Sequence, residues 1–324
     1  MCTAAVYLTK DCYFGRNLDL HMSYHEAVTV MPRNYPLRFR YGETLQRHYA
    51  MIGMATVSEG YPLYYEATNE MGLSLAGLNF PQNAVYYNKD SSKDNIAPFE
   101  LIPWILAQCA TVAEARENLS NLNLWNIPFS QTLPLSPLHW ILADKNQCLV
   151  LEPMAEGLKV YENPVGILTN NPPFDFHMYN LANFINVTPQ IPVNRFSNKI
   201  DLMPYSLGMG GIGIPGDLSS ASRFVKAAFT KLNSISGDTE TESVSQFFHI
   251  LGSVIQQRGL TAVEGGHYEY TIYSSCCNTD KGIYYYTTYK NSQISAVNMY
   301  NENLEGTTVI SYPLVTDQQI HYQN

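Results

Sequence analysis

The chain has 324 residues, 45% of them hydrophobic and 15% charged, which excludes a disordered polymer and leaves enough apolar surface for a sizeable core. Its formal net charge of −9 comes without any basic run able to follow a phosphate backbone, so nucleic acid is not an expected partner. No stretch approaches the ~18 apolar residues of a membrane helix, and the amino terminus lacks a Lys- or Arg-led apolar segment of secretory type, so a cytoplasmic chain without a membrane partner is expected.

In chain order, Thr3 to Leu8 is rich in β-formers and begins just after the second residue. Ala27 to Met31, Tyr49 to Ala55 and Gly72 to Asn79 follow as strands, separated by Pro- and Gly-containing turns. Pro98 opens a helix over Phe99 to Cys109, with Pro103 either kinking it or shortening its first turn. Thr111 and Glu114 spell a capping box for a second helix through Leu122. His139 to Ala143 and Cys148 to Pro153 read as a hairpin that Leu158 to Tyr161 and Gly166 to Thr169 extend. Helices are expected over Phe174 to Ile185, over Ala221 to Leu232 behind a Ser219 or Ser220 cap, and over Val244 to Ile255 behind a Ser243–Gln246 box.

The tail returns to strands at Tyr268 to Cys276, Gly282 to Tyr289, Gln293 to Met299 and Thr307 to Tyr312. Strands, then helices, then strands imply an α+β layered fold. The polar stretches Asn88 to Asn95 and Ser234 to Ser243 are short enough for surface loops, and no linker forces a second domain. Cys2, Cys12, Cys109, Cys148, Cys276 and Cys277 are scattered without zinc-ligand spacing, so free thiols and no metal are expected.

The start Met1-Cys2-Thr3 carries the most chemistry. A small residue after the initiator favours removal of Met1, which leaves Cys2 with both a thiol and a free α-amine. Their ordinary pKa values, about 8.5 and about 7.7–8.0, let the amine take the thiol's proton, so one residue supplies nucleophile and base. The charged turn Gly15-Arg16-Asn17-Leu18-Asp19 could serve this centre: an arginine stabilises a thiolate, and a carboxylate orients an amine. The bland alternatives are an accidental second-position cysteine and a surface ion pair on a turn.

Met1-Cys2-Thr3 followed by Phe14-Gly15-Arg16-Asn17-Leu18-Asp19 resembles the opening of the choloylglycine hydrolase family, which contains bile salt hydrolases and penicillin V acylases. Further blocks resemble it in family order: Asn69-Glu70-Met71-Gly72-Leu73, Ala76-Gly77-Leu78-Asn79-Phe80-Pro81, Leu138-His139-Trp140, Leu168-Thr169-Asn170-Asn171-Pro172, and Gly216-Asp217 with Ala221-Ser222-Arg223-Phe224. The similarity covers essentially the whole chain and is greatest to the bile salt hydrolases of gut lactic acid bacteria. It implies one domain over residues 1–324 with a four-layer αββα N-terminal-nucleophile fold, a homotetramer, and Met1 lost on maturation. By resemblance Cys2 is the nucleophile, supported by Arg16, Asp19, Asn79, Asn170 and Arg223.

The roles of the supporting residues follow from chemistry. Asn79, helped by Asn170 or backbone N–H groups, suits a developing oxyanion, which needs donors about 2.7–3.1 Å away. Both asparagines also read as ordinary turn residues before a proline. Arg223 falls in the first turn of a helix, against the macrodipole, which points to a specific partner such as Asp19 or the site itself.

Penicillin acylases often carry tyrosine where this chain has Asn79, so the resemblance favours glycine- or taurine-conjugated bile salts as substrate, hydrolysed without a metal or organic cofactor. A steroid body needs a wide apolar cleft. Leu18 and Leu20, the Leu63 to Ala67 segment with Tyr65 and Ala67, and an Ile127 to Leu135 lid with Phe129, Leu133 and Leu135 are candidate walls, or ordinary core. The competing readings are a penicillin V acylase, a hydrolase pairing His139 or His249 with Cys109 or Cys148, and a non-catalytic sterol binder. Gly208-Met209-Gly210-Gly211-Ile212-Gly213 lacks the Lys-Ser/Thr of a phosphate loop and reads as a flexible loop near the site or a subunit contact.

Overall fold

The computed structural model describes residues 1–324. Two antiparallel sheets face each other. The first orders Ile167–Leu168, Cys2–Leu8, Cys12–Leu20, Tyr268–Asn278, Ile283–Thr288 and Asn291–Asn298, with Thr261–Ala262 paired to Tyr268–Asn278. The second orders Gly157–Glu162, Cys148–Met154, Leu138–Ala143, Ser74–Asn79, Tyr61–Asn69, Met51–Ser58, Ala27–Met31 and Ile310–Pro313.

Five α-helices complete the elements: α1 Leu101–Gln108, α2 Val112–Leu119, α3 Phe174–Asn180, α4 Ser220–Asn233 and α5 Glu240–Gly252. Helices α4 and α5 cover the outer face of the first sheet, and α1 and α2 cover the second, which gives the four layers αββα. No helix is long and apolar enough to cross a membrane.

Strand alternation builds the layers. In Met51–Ser58, Ile52 and Met54 join the core shared with the first sheet, whereas Met51 and Ala55 join Ile102, Ile105 and Leu106 of α1. A strand covered on both faces reads as a continuous apolar run, and so Met51 to Ala55 does. The first core unites Val28, Ile52, Ala76 and Leu78 with Ala4, Phe14 and Leu18, and extends to Phe224 and Phe247 beneath the helices.

Several elements differ from the sequence expectation. The charged segment Gly15 to Asp19 is no turn but the middle of strand Cys12–Leu20, where every residue from Cys12 to Asp19 is buried. Its polar residues point inward, so no alternation marks it. Gly15 is required there by close approach, because a Cβ would stand 2.0 Å from the Ser275 carbonyl oxygen. Tyr61–Asn69 and the short strand Leu122–Leu124 were not expected, and α2 ends at Leu119.

Thr111 accepts the Glu114 N–H, but Glu114 reaches back to Ala110 N rather than completing a box with Thr111. The box of α5 is Thr239 with Glu242; Ser243 lies inside the helix and bonds Thr9 and Ser236. Pro103 is the third residue of α1, where no intrahelical N–H is needed. The Gly208 to Gly213 stretch forms a 3-10 turn, Met209–Gly211, that packs on Thr188 and Gln190.

Candidate active site

Cys2 begins the first strand and pairs with Leu18 across the ladder. Directly opposed residues share a face. Cys2, Leu18, Ala4 and Arg16 therefore point to the second sheet, and Thr3, Asn17 and Asp19 point to the helices.

Arg16 is buried between the sheets. Its Nη1 donates to the carbonyls of Gly77 at 2.5 Å and Tyr65 at 3.1 Å, and lies 3.8 Å from Glu66 Oε2. Burial alone pushes this guanidinium down; the Cys2 sulfur beside it, Tyr273 and Glu66 push it up, and the net shift is upward. Glu66 is held by converging hydroxyls: Oε2 accepts from Tyr273 at 2.8 Å, and Oε1 from Ser275 at 3.0 Å and from Tyr284. Burial pushes the Glu66 carboxyl up, Arg16 and these hydroxyls draw it back down, and the net shift is upward; the same donors fix its orientation beside Arg16. The Arg16 cation is thus pinned beside the sulfur.

The Cys2 nitrogen is served by other groups. It donates to Asn170 Oδ1 at 2.8 Å. Asn170 lies two residues beyond strand Ile167–Leu168, which pairs with Cys2–Leu8. The same Oδ1 accepts from Arg223 Nη2 at 2.8 Å, and Asn170 Nδ2 donates to the Asn79 carbonyl at 2.7 Å. Arg223, from the first turn of α4, also donates to the Cys2 carbonyl at 2.5 Å, to Thr3 Oγ1 at 2.6 Å and, through Nε, to the Leu218 carbonyl at 3.0 Å. Burial pushes Arg223 down, while Asp19, Cys2 and Glu269 draw it back up.

Asp19 lies beneath the terminus and is fully buried. Its Oδ1 accepts from Thr271 Oγ1 at 2.6 Å, and no protein donor reaches Oδ2. Burial pushes its carboxyl up; Arg223 and the chain's amino group draw it down, and the net shift is upward. Met1 adds one rung to the ladder: its amino group donates to the Asp19 carbonyl and to Glu269 Oε2, each at 2.8 Å, and its carbonyl accepts Asp19 N–H at 3.0 Å.

Arg16, Asn170 and Arg223 thus converge on Cys2, with Asp19 paired to Met1 one rung away, the Asn79 main chain bonded to Asn170, and the Asn79 side chain exposed at the end of its strand. The Asn170 amide is turned to the Cys2 nitrogen: Oδ1 accepts from it, and one Nδ2 hydrogen goes to the Asn79 carbonyl. Among the expected apolar walls, Leu18 lies buried opposite Cys2, and half-buried Leu20 and Tyr65 pack on the core between the sheets. Ala67 does not line that space; strand alternation turns it to the α1 side.

Phe129 also departs from the expectation. Its ring packs on Phe99 at 5.3 Å and Tyr61 at 6.0 Å under Arg40, on the outer face of the second sheet. The 127–135 loop, with Leu133 and Leu135 half-buried, rejoins the sheet at Leu138 opposite Asn79.

The internal-cysteine reading is overturned. Burial pushes Cys109 up to about 11 and Cys148 up to about 12, His139 bonds Glu152 and the Thr169 carbonyl, and His249 is exposed on α5. Glu66, Thr271, His177, Ser220 and Glu269 were not foreseen as part of the site, and His139 was foreseen only as the partner of an internal cysteine. For Glu66 the signal was a lone acid within the apolar run Tyr61 to Ala67.

The chain resembles known proteins along its length. Residues 2–312 match the family described as linear amide C–N hydrolases, choloylglycine hydrolase family. A bile salt hydrolase/transferase of Lactiplantibacillus plantarum is 58% identical over 324 residues, all of both chains. The crystal structure of the C2A mutant of a conjugated bile acid hydrolase from Clostridium perfringens superposes with a TM-score of 0.92 at 36% identity, covering all of both chains. A penicillin V acylase from Agrobacterium tumefaciens shares the fold, with a TM-score of 0.75 at 18% identity over 96% of this chain and 90% of its own. With this match over nearly every residue, the protein belongs to the choloylglycine hydrolase family and is an amidase with the N-terminal-nucleophile fold.

Proposed function

We propose that this amidase hydrolyses the bond joining a bile acid acyl group to glycine or taurine, using Cys2 as nucleophile after Met1 is removed. The observation that carries the reading is the division of labour at Cys2: its nitrogen is held by Asn170 and its sulfur faces Arg16. The names of the 58%- and 36%-identical relatives supply the substrate class.

Once free, the α-amine of Cys2 keeps Asn170 Oδ1 as acceptor, and the open oxygen of Asp19 offers a second. The amine takes the thiol proton, and Arg16 stabilises the thiolate. The sulfur attacks the amide carbonyl carbon. The Asn79 amide, whose main-chain carbonyl is bonded to Asn170, is assigned as the donor to the oxyanion that forms. As the tetrahedral adduct collapses, the ammonium returns its proton to the departing nitrogen, releasing glycine or taurine and leaving a thioester. The neutral amine then takes a proton from water, the hydroxide adds to the thioester carbonyl, and the bile acid leaves with the thiol regenerated.

Leu18 and the half-buried Leu20 and Tyr65, on the side of Cys2 that faces the second sheet, are the apolar side chains we assign to the steroid. Residues 185–212 form an arm with Ile185, Val193, Phe196, Met203, Tyr205, Leu207 and Ile212 strongly exposed, an apolar surface fitted to bury against other copies in a homotetramer. Six free cysteines suit the reducing cytoplasm.

The test is taurine and glycine release from taurocholate and glycocholate, with penicillin V alongside and Cys2→Ala as control. Release by the native chain, its abolition in the folded variant, and a trapped acyl adduct on Cys2 are expected. Turnover surviving Cys2→Ala, or cleavage of penicillin V alone, overturns the reading.

A further inference from the structure

Asn170 touches the Cys2 nitrogen, Arg223 and Asn79 at once, so whatever holds Asn170 decides where the nitrogen lies. Its main chain is fastened by side chains. The N–H donates to Ser220 Oγ at 2.8 Å, and the carbonyl accepts from His177 Nε2 at 2.9 Å. The preceding carbonyl, of Thr169, accepts from His139 Nε2 at 2.9 Å. The Thr169 hydroxyl donates to the Ser220 carbonyl at 3.1 Å and accepts from Ser220 Oγ at 3.0 Å. A carbonyl can only accept, so both imidazoles carry their hydrogen on Nε2.

Each imidazole is itself locked next to a site residue. The His139 ring stacks on Phe80, the neighbour of Asn79, with centroids 4.2 Å apart, and its Nδ1 lies 3.1 Å from Glu152 Oε1. That oxygen also accepts the N–H of Phe174, at the start of α3, at 3.0 Å. The His177 ring stacks on Phe224, the neighbour of Arg223, at 4.7 Å. Both histidines are fully buried, and neither touches Cys2.

We infer that His139 and His177 are positioning residues, two N–H donors that clamp consecutive carbonyls so that the Asn170 amide aims at the Cys2 nitrogen. Asn170 lies two residues beyond a two-residue strand and has no ladder partner of its own. Without the clamp, rotation about its main chain would swing Oδ1 away from the nitrogen and release Asn79 as well. The inference rests on the reading that this nitrogen becomes the catalytic base.

The test is a double-mutant cycle between His177 and Asn170. His177→Phe keeps the ring stack and deletes one donor, since no protein partner reaches Nδ1. A displacement of about 1 Å at a reacting group lowers rates ~100-fold. His177→Phe is therefore expected to reduce kcat for taurocholate by about 10- to 100-fold, with KM within about twofold.

In an Asn170→Ala background the same change should alter kcat by less than about twofold, because the clamp then has nothing to aim. Equal losses in the two backgrounds overturn the inference. His177→Gln restores a donor of similar reach and should recover part of the loss; Gln and Phe behaving alike also overturns it. If His177→Phe does not fold, the Gln variant carries the cycle. Alkylation of Cys2 by iodoacetamide is followed in all variants. That readout needs no bile salt, so it still reports on the clamp if native protein fails to cleave taurocholate.

Discussion

Acid exposes what His177 does for stability. Burial, reinforced by the nearby charges of His139 and Arg223, pushes its imidazole from an ordinary 6.5 down to about 4. Below pH 6.5 the unfolded chain binds a proton at this residue that the folded chain does not. Folding stability is therefore fully present above pH 6.5 and falls as the pH drops toward 4. A difference of about 2.5 units corresponds to roughly 3 kcal/mol lost across that window, a large part of the 5–15 kcal/mol that holds a typical domain together.

The assay is urea unfolding at fixed protein concentration, at pH 7, 6, 5 and 4.5, for native protein and His177→Phe. The variant lacks this titration. It should start about 1–3 kcal/mol less stable at pH 7, because the Asn170 carbonyl loses its donor, and should then decline more gently, so that the two curves converge on acidification. Asp217 and Glu305, held down to about 2 by hydrogen bonds from Ser219 and from Arg47 respectively, begin to lose their contribution at the acid end of this window, equally in both proteins, and cancel. Parallel curves from pH 7 to 4.5 would refute the reasoning.

Three further outcomes are expected. Gly15→Ala forces a Cβ to within 2.0 Å of the Ser275 carbonyl oxygen in the neighbouring strand, so it should cost about 3 kcal/mol or more, read as a lower melting temperature; an unchanged melt contradicts the close approach. Arg16→Leu removes the cation beside the sulfur, and iodoacetamide should alkylate Cys2 about tenfold more slowly at pH 7; an undiminished rate assigns the thiolate to another group. Phe196→Ser with Leu207→Ser should shift the mass measured by light scattering toward smaller species, since both side chains are more than four-fifths exposed on the arm; an unchanged assembly removes the arm from the interface.

The layered architecture was legible where one face of an element repeats. Ala27 to Met31 and His139 to Ala143 emerged from β-formers between turn signals, and the Ser219 cap announced α4. Strand Cys12–Leu20 was hidden because it is buried on both faces and carries Arg16, Asn17 and Asp19 inward, so charge in an interior strand looked like a turn. Tyr61–Asn69 was masked in the same way by Pro62 and Glu66.

The charged members of the site stood out in the amino-terminal motif, but their partners did not. Glu66 and His139 reach the site only when the two sheets come together, and His177, seven residues from the Asn170 it bonds, turns toward it only because α3 packs on α4. Ala67 and Phe129 were misplaced because an apolar residue in a strand or loop can face either layer, and only the register decides.

The free α-amine of Cys2 is the group on which the chemistry turns. Two mass-verified preparations separate it from every other feature of the site, one beginning at Cys2 and one retaining Met1. The sulfur, Arg16 and Asn170 are present in both, but only the first has an amine able to exchange the thiol proton. The form that keeps Met1 should turn over taurocholate at least ~100-fold more slowly, the usual contribution of a positioned general base. Equal turnover by the two forms would contradict the N-terminal-amine mechanism.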